Sequence, residues 1–450
     1  MVVRCSMLPL AARLPRPVHV VFFITFVVVT SLPPAALQAE NWPAWRGPRG
    51  TGVSADRRVP LIWSETRNIV WHSELEAWGH STPAVWEGAL FVTCHTDAGD
   101  LVVESREIFS GKRLWRTVVG HGATPREAPK RSGQKFHRLH NLATPSPVTD
   151  GRTVVVHFGN GDLAALDAAT GKQLWKRNLQ EDYGRYTIWW GHANSPVIYD
   201  GLVISVCMQD SLVDVAERPV ESYLVAHELR TGRVRWFTPR MTQDSAEECD
   251  SYTTPLIVHR DGHDELVVMG GNQLDAYRPR TGKQLWFLPG LKGGRTVTGP
   301  TTDGERIFAT IGMRGNLFAA APFGGRGKLT RDVIQWETRS GTPDTCSPVL
   351  WNGLLFTVTD NGIARCYDAK RGKLHWRKRL GGDYKASPVA VAGHILFLST
   401  EGLCTVVAAA PRFHELARNP LPGTFLASPA VSNGRIYLRS RDHLWCIGRK

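Results

Sequence analysis

The chain has 450 residues, of which 42% are hydrophobic and 21% charged, and its formal net charge is +13. This length exceeds what one hydrophobic core normally organises, so it excludes a small single-core domain unless the chain is built from repeated modules. The eight cysteines include no adjacent pair and no Cys-x-x-Cys, and no nucleophile elbow, phosphate loop or zinc signature is present.

Residues 1–39 are predicted to be a secretion signal. Three arginines precede an apolar stretch at 18–29, and small residues follow up to position 39. The stretch is shorter than the ~20 residues that span a bilayer, although an uncleaved membrane anchor stays open as the alternative. Cys5 lies before the apolar stretch, which disfavours a lipoprotein anchor. The sequence thus predicts a periplasmic or secreted protein.

The excess of positive charge persists without this signal. Removing residues 1–39, which hold three arginines and no acidic residue, leaves 51 basic against 41 acidic residues, a net charge of +10. Outside the cytoplasm such an excess favours an anionic envelope polymer or lipid headgroups over nucleic acid as a partner. Diffuse solubilising charge is the alternative explanation.

After a lead segment at 40–67, a block of about 49 residues recurs. It reads Ser/Thr-Pro-Val, Asp/Asn-Gly, an apolar run, Gly-x-Leu-x-Ala-x-Asp and Thr-Gly-Lys-x-Leu-Trp, and the clearest copy spans 146–175. Each block holds four short apolar runs separated by Gly turns, which is typical of strands. In the fifth block these strands are predicted at 296–298, 306–311, 316–319 and 333–336. The blocks open at Pro83, Pro147, Pro196, Pro255, Pro300, Pro348, Pro388 and Pro429.

Eight such blocks predict an all-β fold, an eight-bladed β-propeller of four-stranded antiparallel blades that occupies residues 68–450. The eighth block ends without a fourth strand, whereas 68–71, before the first block, resembles a Trp-ending fourth strand. We therefore expect this N-terminal strand to complete the last blade and leave no exposed edge. An open β-array would leave both ends unpaired.

The seven cysteines after residue 39 are predicted to pack as small buried hydrophobes, because most fall in strand runs. One disulfide stays open as an alternative, since the number is odd and the spacing scattered.

The connections divide between two faces of the predicted ring. Turns between strands 1 and 2 and between strands 3 and 4 are predicted to be uniformly short, built from Asp-Gly and Thr-Gly-Lys. The long insertions, at 120–143, 180–193, 208–221 and 241–252, fall between strands 2 and 3 or between blades. They gather on one rim, beside the first four blades, and long loops on a rigid scaffold are where binding tends to reside.

Three clusters on this rim could carry chemistry. The first, 126–140, is rich in basic residues and could hold an acidic polymer or a protein, or be a solvated loop. The second, 183–194, interleaves aromatic rings with polar groups and suits a carbohydrate or peptide groove, or inter-blade packing. The third, 244–250, has four acids that could bind Ca²⁺, but without the spacing of an EF-hand loop.

Residues just before innermost strands could converge at the mouth of the central channel. His80, His192 and Tyr252 are such residues, and they could bind a metal or act as hydrogen-bonded polar caps. The candidate ligand-binding residues on the rim are His80, Arg131, Lys135, His137, Arg138, His140, Asn141, Tyr186, Trp189, Trp190, His192, Asn194, Asp250 and Tyr252.

The block resembles the pyrroloquinoline-quinone-type propeller repeat, found in quinoprotein alcohol dehydrogenases and in outer-membrane β-barrel assembly factors. The resemblance covers about residues 63–448. The segments 41–48, 78–81 and 141–147 look like secreted propeller proteins of planctomycete-type bacteria. The resemblance implies that the repeat Trp residues seal one blade to the next. It would also imply a Cys-Cys disulfide, Ca²⁺ and a catalytic Asp for a dehydrogenase, but this chain has no Cys-Cys pair.

The sequence therefore predicts a non-catalytic, extracytoplasmic scaffold that binds a protein or envelope ligand through one rim. We expect a monomer without cofactor and without nucleic acid, with membrane contact only if the N-terminal segment is retained. The alternative is a dehydrogenase that depends on pyrroloquinoline quinone and Ca²⁺ and has an atypical active site.

Overall fold

The computed structural model describes residues 1–2, 40–126, 135–209, 222–242, 248–312 and 315–449. Residues Ala39–Lys450 form one compact unit. Its strands form eight sheets that follow one another along the chain, which confirms the predicted all-β, eight-bladed fold. Among the described residues, no helix combines the length and apolar character needed to cross a membrane.

Two strands precede the first blade, and they end up in blades 7 and 8. They are β1 Val53–Ser54 and β2 Ile69–Glu74. Blades 1 to 4 contain β3 Ala84–Trp86, β4 Ala89–His95, β5 Asp100–Glu107, β6 Arg113–His121, β7 Val148–Thr149, β8 Thr153–His157, β9 Asp162–Asp167, β10 Gln173–Asn178, β11 Val197–Tyr199, β12 Leu202–Cys207, β13 Tyr223–Glu228, β14 Val234–Pro239, β15 Leu256–Arg260, β16 His263–Gly270, β17 Gln273–Tyr277 and β18 Gln284–Leu288.

The remaining strands build blades 5 to 8, apart from β22, which joins the sheet of blade 4. They are β19 Thr301–Thr302, β20 Ile307–Thr310, β21 Leu317–Ala320, β22 Gly327–Lys328, β23 Ile334–Thr338, β24 Val349–Trp351, β25 Leu354–Val358, β26 Ile363–Asp368, β27 Leu374–Arg379, β28 Val389–Val391, β29 His394–Leu398, β30 Leu403–Ala408, β31 Glu415–Pro420, β32 Ala430–Ser432, β33 Arg435–Arg439 and β34 His443–Ile447.

Helical structure is confined to connections. The α-helix α1, Leu179–Tyr183, follows blade 2, and the Asn178 side chain caps it by accepting the N–H groups of Gln180 and Glu181. A 3-10 helix, Arg331–Val333, precedes β23.

The ring closes through its N-terminal strand. β2 pairs antiparallel with β34, with Ile69 opposite Ile447 and Glu74 opposite His443, so blade 8 has the order β2-β34-β33-β32. The predicted fourth strand of the last blade is thereby confirmed, and β34 is paired on both sides, with β33 and with β2.

The lead before this strand lines the central channel. Trp42 forms two backbone hydrogen bonds with Val85 of blade 1, 2.9 and 2.7 Å long. The Thr149 N–H of blade 2 donates to the Pro43 carbonyl, and β1 pairs parallel with β28 of blade 7.

The path of the lead completes a circuit around the channel wall. It starts at blade 8, where the Ser432 hydroxyl donates to the Glu40 carbonyl, and returns there, where the Gly434 N–H donates to Asp56. Between these points the Arg46 guanidinium donates to the Pro348 carbonyl of blade 6. Trp42 is fully buried, and burial lowers the pKa of Arg46 to about 9. The lead is therefore part of the propeller core.

The hairpin turns take the conformation that their residues predict. Asp200, Asn352 and Asn433 each have a positive φ, between 45° and 57°, and each is followed by a positive-φ glycine. Two consecutive positive φ angles define the type I′ turn that matches the twist of antiparallel strands.

The repeat tryptophans seal neighbouring blades, as the resemblance implies. Five of them, Trp71, Trp115, Trp175, Trp236 and Trp336, pack on the Gly of the next blade's short third turn; a Cβ on Gly171, for example, would lie 2.5 Å from the Trp115 ring. Six indole N–H groups also donate to a carbonyl of the next blade. These bonds join Trp71 to Ile108, Trp115 to Ala168, Trp175 to Leu229, Trp236 to Pro279, Trp336 to Ala369 and Trp376 to Ala410.

Blade 5 departs from the prediction in two ways. Its first strand is Thr301–Thr302, because 296–298 belongs to the connection before the Gly-Pro step. Its connection between strands 3 and 4 is long, from Ala320 to Ile334, so the prediction that all such turns are short was wrong. β22 lies in this connection and pairs parallel with β18, which gives blade 4 a fifth strand.

The seven cysteines that the structure describes are all buried, and none of them forms a disulfide. This agrees with the predicted packing role, and burial raises the pKa of each resolved thiol, for example that of Cys446 to about 12.

Candidate functional site

A ring of hydroxyl groups surrounds one mouth of the central channel. Seven of the eight blocks carry Ser or Thr immediately before the opening proline, and the fifth carries Gly299. In six cases the backbone N–H at this position donates to the hydroxyl of the next blade. The bonds run from Thr82 to Ser146, Ser146 to Ser195, Ser195 to Thr254, Gly299 to Ser347, Ser347 to Ser387 and Ser387 to Ser428.

A second ring lies two residues earlier and forms the wall of a pocket. The eight residues that stand three positions before the opening prolines all line the same cavity, which has a volume of about 450 Å³ and lies at this mouth. All eight blades contribute one side chain. In blade order they are His80, Thr144, Ala193, Tyr252, Val297, Thr345, Lys385 and Leu426.

The inner end of the pocket is lined by the lead. Trp45, which follows the buried Trp42, is one of the lining residues. Its ring packs against blade 5, where a Cβ on Gly299 would lie 2.9 Å away. The lead, which runs along the channel wall, therefore contributes Trp45 to the pocket at the channel mouth.

The side of the pocket formed by blades 5 to 7 carries paired charges. Arg295 donates to Asp344 over 3.1 Å, and the Lys385 ammonium donates to Asp360 over 2.5 Å. Asp360 also accepts from the Thr345 hydroxyl at 2.9 Å. These bonds cross from blade to blade and hold Lys385 and Arg295 at the wall.

The first predicted cluster folds over the opposite side of the mouth. His137, Leu139 and His140 line the pocket. The His137 ring meets the Trp190 ring edge-on at 5.7 Å, and the Lys135 ammonium lies 5.8 Å from the same ring. Burial and the positive charges of Lys385 and nearby arginines hold the pKa of His137 below its ordinary value. At neutral pH the imidazole is therefore uncharged.

Five of the predicted site residues line the pocket: His80, His137, His140, Trp190 and Tyr252. Burial, with the charges of His140 and three arginines, lowers the pKa of His80, and burial lowers that of His140 to about 3. The wall thus presents neutral imidazoles beside aromatic rings.

Other predicted residues lie behind this wall and hold it. Asn141 donates to the Trp78 carbonyl, and Asn194 donates to the carbonyls of Ser251 and Thr253. The fully buried Asp250 carboxylate accepts the Trp189 N–H at 2.8 Å.

Tyr186 and His192 are placed in the interior between blades 2 and 3. The His192 Nε2 lies 3.1 Å from the Nδ1 of His157, whose Nε2 lies 3.2 Å from the Tyr186 hydroxyl. Of the three channel-mouth candidates, His80 and Tyr252 therefore share the pocket and His192 does not. Arg138 is exposed, and Arg131 lies outside the described residues.

The pocket also contains residues that the sequence reasoning missed. Trp45, Arg295, Asp344 and Lys385 come from the lead and from blades 5 to 7, whereas the prediction placed the site beside the first four blades. A positional signal existed, because the third residue before every opening proline faces the pocket. The chemistry at this position changes from block to block, so it is invisible in the repeat consensus.

The pocket lining does not fit a Ca²⁺-bound quinone. Ca²⁺ takes six to eight oxygen ligands, and the lining offers one carboxylate, Asp344, which is paired with Arg295. Within the described ranges, no group of three or more His, Cys, Asp or Glu is arranged to hold a metal ion. In the acidic cluster, 243–247 lies outside the described residues, and Glu248 accepts from the Asn272 amide at 3.1 Å.

Fold and pocket define a closed eight-bladed propeller of the quinoprotein-like repeat class. A sequence model described as outer membrane protein assembly factor BamB matches residues 55–326 and 274–412. The chain belongs to this family, which confirms the resemblance seen in the repeat.

Individual relatives include both an enzyme and assembly factors. The chain is 32% identical over 165 residues to the 1-butanol dehydrogenase (cytochrome c) of Thauera butanivorans, a match that covers 34% of this chain and 20% of that protein. It is 23% identical over 288 residues to BamB of Yersinia pestis, covering 61% and 62%, and 24% identical over 325 residues to BamB of Salmonella typhimurium, covering 70% and 74%. The chain thus spans a small part of the dehydrogenase and less than two thirds of the Yersinia protein.

Solved structures show the same fold. BamB from Moraxella catarrhalis aligns with a TM-score of 0.57 at 14% identity, over 84% of this chain and 98% of that chain. A quinohemoprotein alcohol dehydrogenase from Comamonas testosteroni aligns with a TM-score of 0.64 at 14% identity, over 91% and 81%. At such identities the likeness concerns the fold alone, and both kinds of protein share it.

Proposed function

We propose that this protein is a non-catalytic, extracytoplasmic scaffold that binds a protein partner at the loop-bearing rim, with the channel-mouth pocket as its principal contact. The observation that carries this proposal is the pocket itself, whose wall has one side chain from each of eight blades and which Trp45 lines from below. A pocket of about 450 Å³ suits a few inserted side chains. Membership of the assembly-factor family supports a protein as the partner.

The lining indicates what the inserted segment would look like. Trp190, Tyr252 and Leu426 offer aromatic and apolar surface, on which a buried side chain of a partner would be well packed. Lys385 and Arg295 lie among them, already oriented by carboxylates, and they favour a carboxylate or backbone carbonyl on the incoming segment. A loop that carries both an apolar anchor and an acidic residue fits this wall.

Export to the cell envelope is part of the proposal. The basic, apolar and small-residue pattern of residues 1–39 supports an export signal, and the family supports an envelope location. Expression with and without residues 1–39, followed by fractionation, tests it: the full chain should reach the envelope and the shortened chain should stay in the cytoplasm. Equal distribution of both would contradict an export signal.

Site-specific photo-crosslinking tests the proposed binding site. Ala193 and Leu426 are half-buried pocket residues, so a photoreactive side chain at either position should reach a bound partner. Leu374 is 45% exposed on the outer strand of blade 6 and provides the matched control. We expect one discrete protein adduct from 193 and 426 and none from 374, and Trp190→Ala should reduce the adduct at both positions. Adducts of equal yield from the control, or none from the pocket, would contradict the proposal.

A second experiment tests the enzymatic alternative directly. The purified protein is incubated with pyrroloquinoline quinone and Ca²⁺, desalted, and assayed for bound quinone absorbance and for dye reduction with alcohols. We expect neither, because the lining lacks the oxygen ligands that Ca²⁺ requires. Stoichiometric quinone together with alcohol-dependent dye reduction would overturn the scaffold proposal.

A further inference from the structure

The seam between blades 4 and 5 breaks the pattern of the other blade-to-blade seals. The Trp286 indole donates to the Glu265 carboxylate in its own blade over 2.8 Å, whereas six other repeat tryptophans donate to the next blade. The cause is the long connection of blade 5, from Ala320 to Ile334, which replaces the short Thr-Gly turn that would receive the ring. Departures from a repeat that is otherwise kept are expected at functional sites.

This connection encloses a groove on the face opposite the loop-bearing rim. The groove has a volume of about 480 Å³. It lies between the first turn of blade 4 at 260–265, its third turn at 278–280 and the blade 5 segment 323–326. Both blade 4 turns belong to the short-turn face, so the groove is separate from the channel-mouth pocket.

Four arginines line the groove: Arg260, Arg278, Arg280 and Arg326. The apolar surface between them comes from Phe323, over whose ring the Arg260 guanidinium lies at 5.5 Å. Planar guanidinium groups with several donors match the oxygen geometry of phosphate, and those that stack on a ring are held in place.

The acidic side chains of the groove are already engaged. Asp264 accepts from Tyr199 and from His259, each at 2.6 Å, and Asp261 pairs with Arg260 at 3.1 Å. Glu265 is largely buried against Trp286. These contacts leave little free acceptor capacity on Asp264 and Glu265, whereas Asp261 is 80% exposed and contacts Arg260 through one oxygen.

Two of the arginines lack a carboxylate partner. Arg280 pairs with Asp200, but among the residues that the structure describes neither Arg278 nor Arg326 has a carboxylate within ion-pair distance. One guanidinium nitrogen of Arg326 donates to the Gly325 carbonyl over 2.7 Å. Because both side chains are exposed, the remaining guanidinium donors are available to an incoming anion.

We propose that this groove binds the phosphate group of a small ligand, held by Arg278 and Arg326. The volume exceeds that of a phosphate ion and accommodates an attached sugar or glycerol moiety against Phe323. Phosphate can come from a soluble metabolite or from a lipid headgroup, and the same arginine pair would bind either.

Binding assays on the full-length chain test this proposal at about 0.15 M salt, where non-specific charge effects are screened. Inorganic pyrophosphate titrated by calorimetry is the soluble probe, and sedimentation with phosphatidic acid vesicles, compared with phosphatidylcholine vesicles, is the lipid probe. The test variant is Arg278→Ser with Arg326→Ser. Because both side chains are exposed, this change empties no core position.

The matched control is Arg152→Ser with Arg377→Ser, which removes two exposed guanidinium groups elsewhere and changes the net charge equally. We expect the test variant to bind about tenfold more weakly or worse, and the control to stay within about twofold of the natural protein. If the test variant loses binding to pyrophosphate, the ligand is a soluble phosphate compound. If it loses binding to the phosphatidic acid vesicles alone, the ligand is a lipid phosphate. Binding that both double variants retain equally, or absence of binding to either probe, would overturn the proposal.

Discussion

Replacement of Trp42 by Ala should strongly destabilise the propeller. Trp42 is fully buried, and its ring lies 2.8 Å from where a Cβ on Gly47 would stand, so the lead closes tightly around it. Its indole N–H makes no hydrogen bond to the described residues, so the contribution of this side chain is packing.

The magnitude follows from the area that the ring removes from water. A buried Trp covers about 150–250 Å², which at about 25 cal/mol per Å² corresponds to about 4–6 kcal/mol. Residual burial in the unfolded chain lowers this figure by roughly 10–40%. We therefore expect Trp42→Ala to lower the free energy of unfolding by about 4 kcal/mol, within the range of about 3–5 kcal/mol seen for such truncations.

Urea unfolding followed by far-UV circular dichroism measures this loss. Trp42→Phe is the matched control, because it keeps an aromatic ring against Gly47 and should cost about half as much or less. A loss below about 1 kcal/mol for Trp42→Ala would refute the reasoning, since it would mean that the lead is not packed into the propeller core.

Two further changes test other parts of the structure. Acidification should destabilise the fold: His140 and His157 have pKa values of about 3 because they are buried, whereas an unfolded histidine titrates near 6.5. The stabilising contribution of these two neutral histidines is then fully present above about pH 6.5 and is lost as the pH decreases toward 3. At pH 5.5 the free energy of unfolding should be lower by about 1.4 kcal/mol per histidine. Urea midpoints that are equal at pH 7.5 and 5.5 would contradict this. In the hydroxyl ring, Ser347→Ala removes the acceptor of the Gly299 N–H and should lower the free energy of unfolding by about 1 kcal/mol, while the exposed Ser110→Ala, measured in parallel, should cost much less.

Repeated residues made the blades predictable. Asp-Gly and Asn-Gly steps determine the hairpins through their positive φ angles, and five of the repeat Trp residues have a Gly of the next blade beneath them. The same residue types therefore recur wherever the same contact recurs. The closure of the ring was also predictable, because the eighth block lacks a fourth strand and an unassigned strand lies at 68–71.

The lead and the pocket escaped prediction for a physical reason. The lead meets a different blade every few residues, so its contacts have no period, and most of its hydrogen bonds are made by backbone groups that carry no sequence signature. The pocket wall occupies one repeated position, but its side chains differ from Ala193 to Lys385, because they face the cavity and not a neighbouring blade. In blade 5, Gly324-Gly325 resembles an ordinary turn and hid the extent of the connection.

The circuit of the lead also determines when the protein can finish folding. Glu40 is bonded to Ser432, 392 positions later, and Ile69 pairs with Ile447. These two contacts therefore form only after the last blade has been made. Folding that depends on contacts so distant in sequence is slow. Until β34 is made, β2 has no pairing partner, so a chain truncated before Arg435 would lack a closed ring.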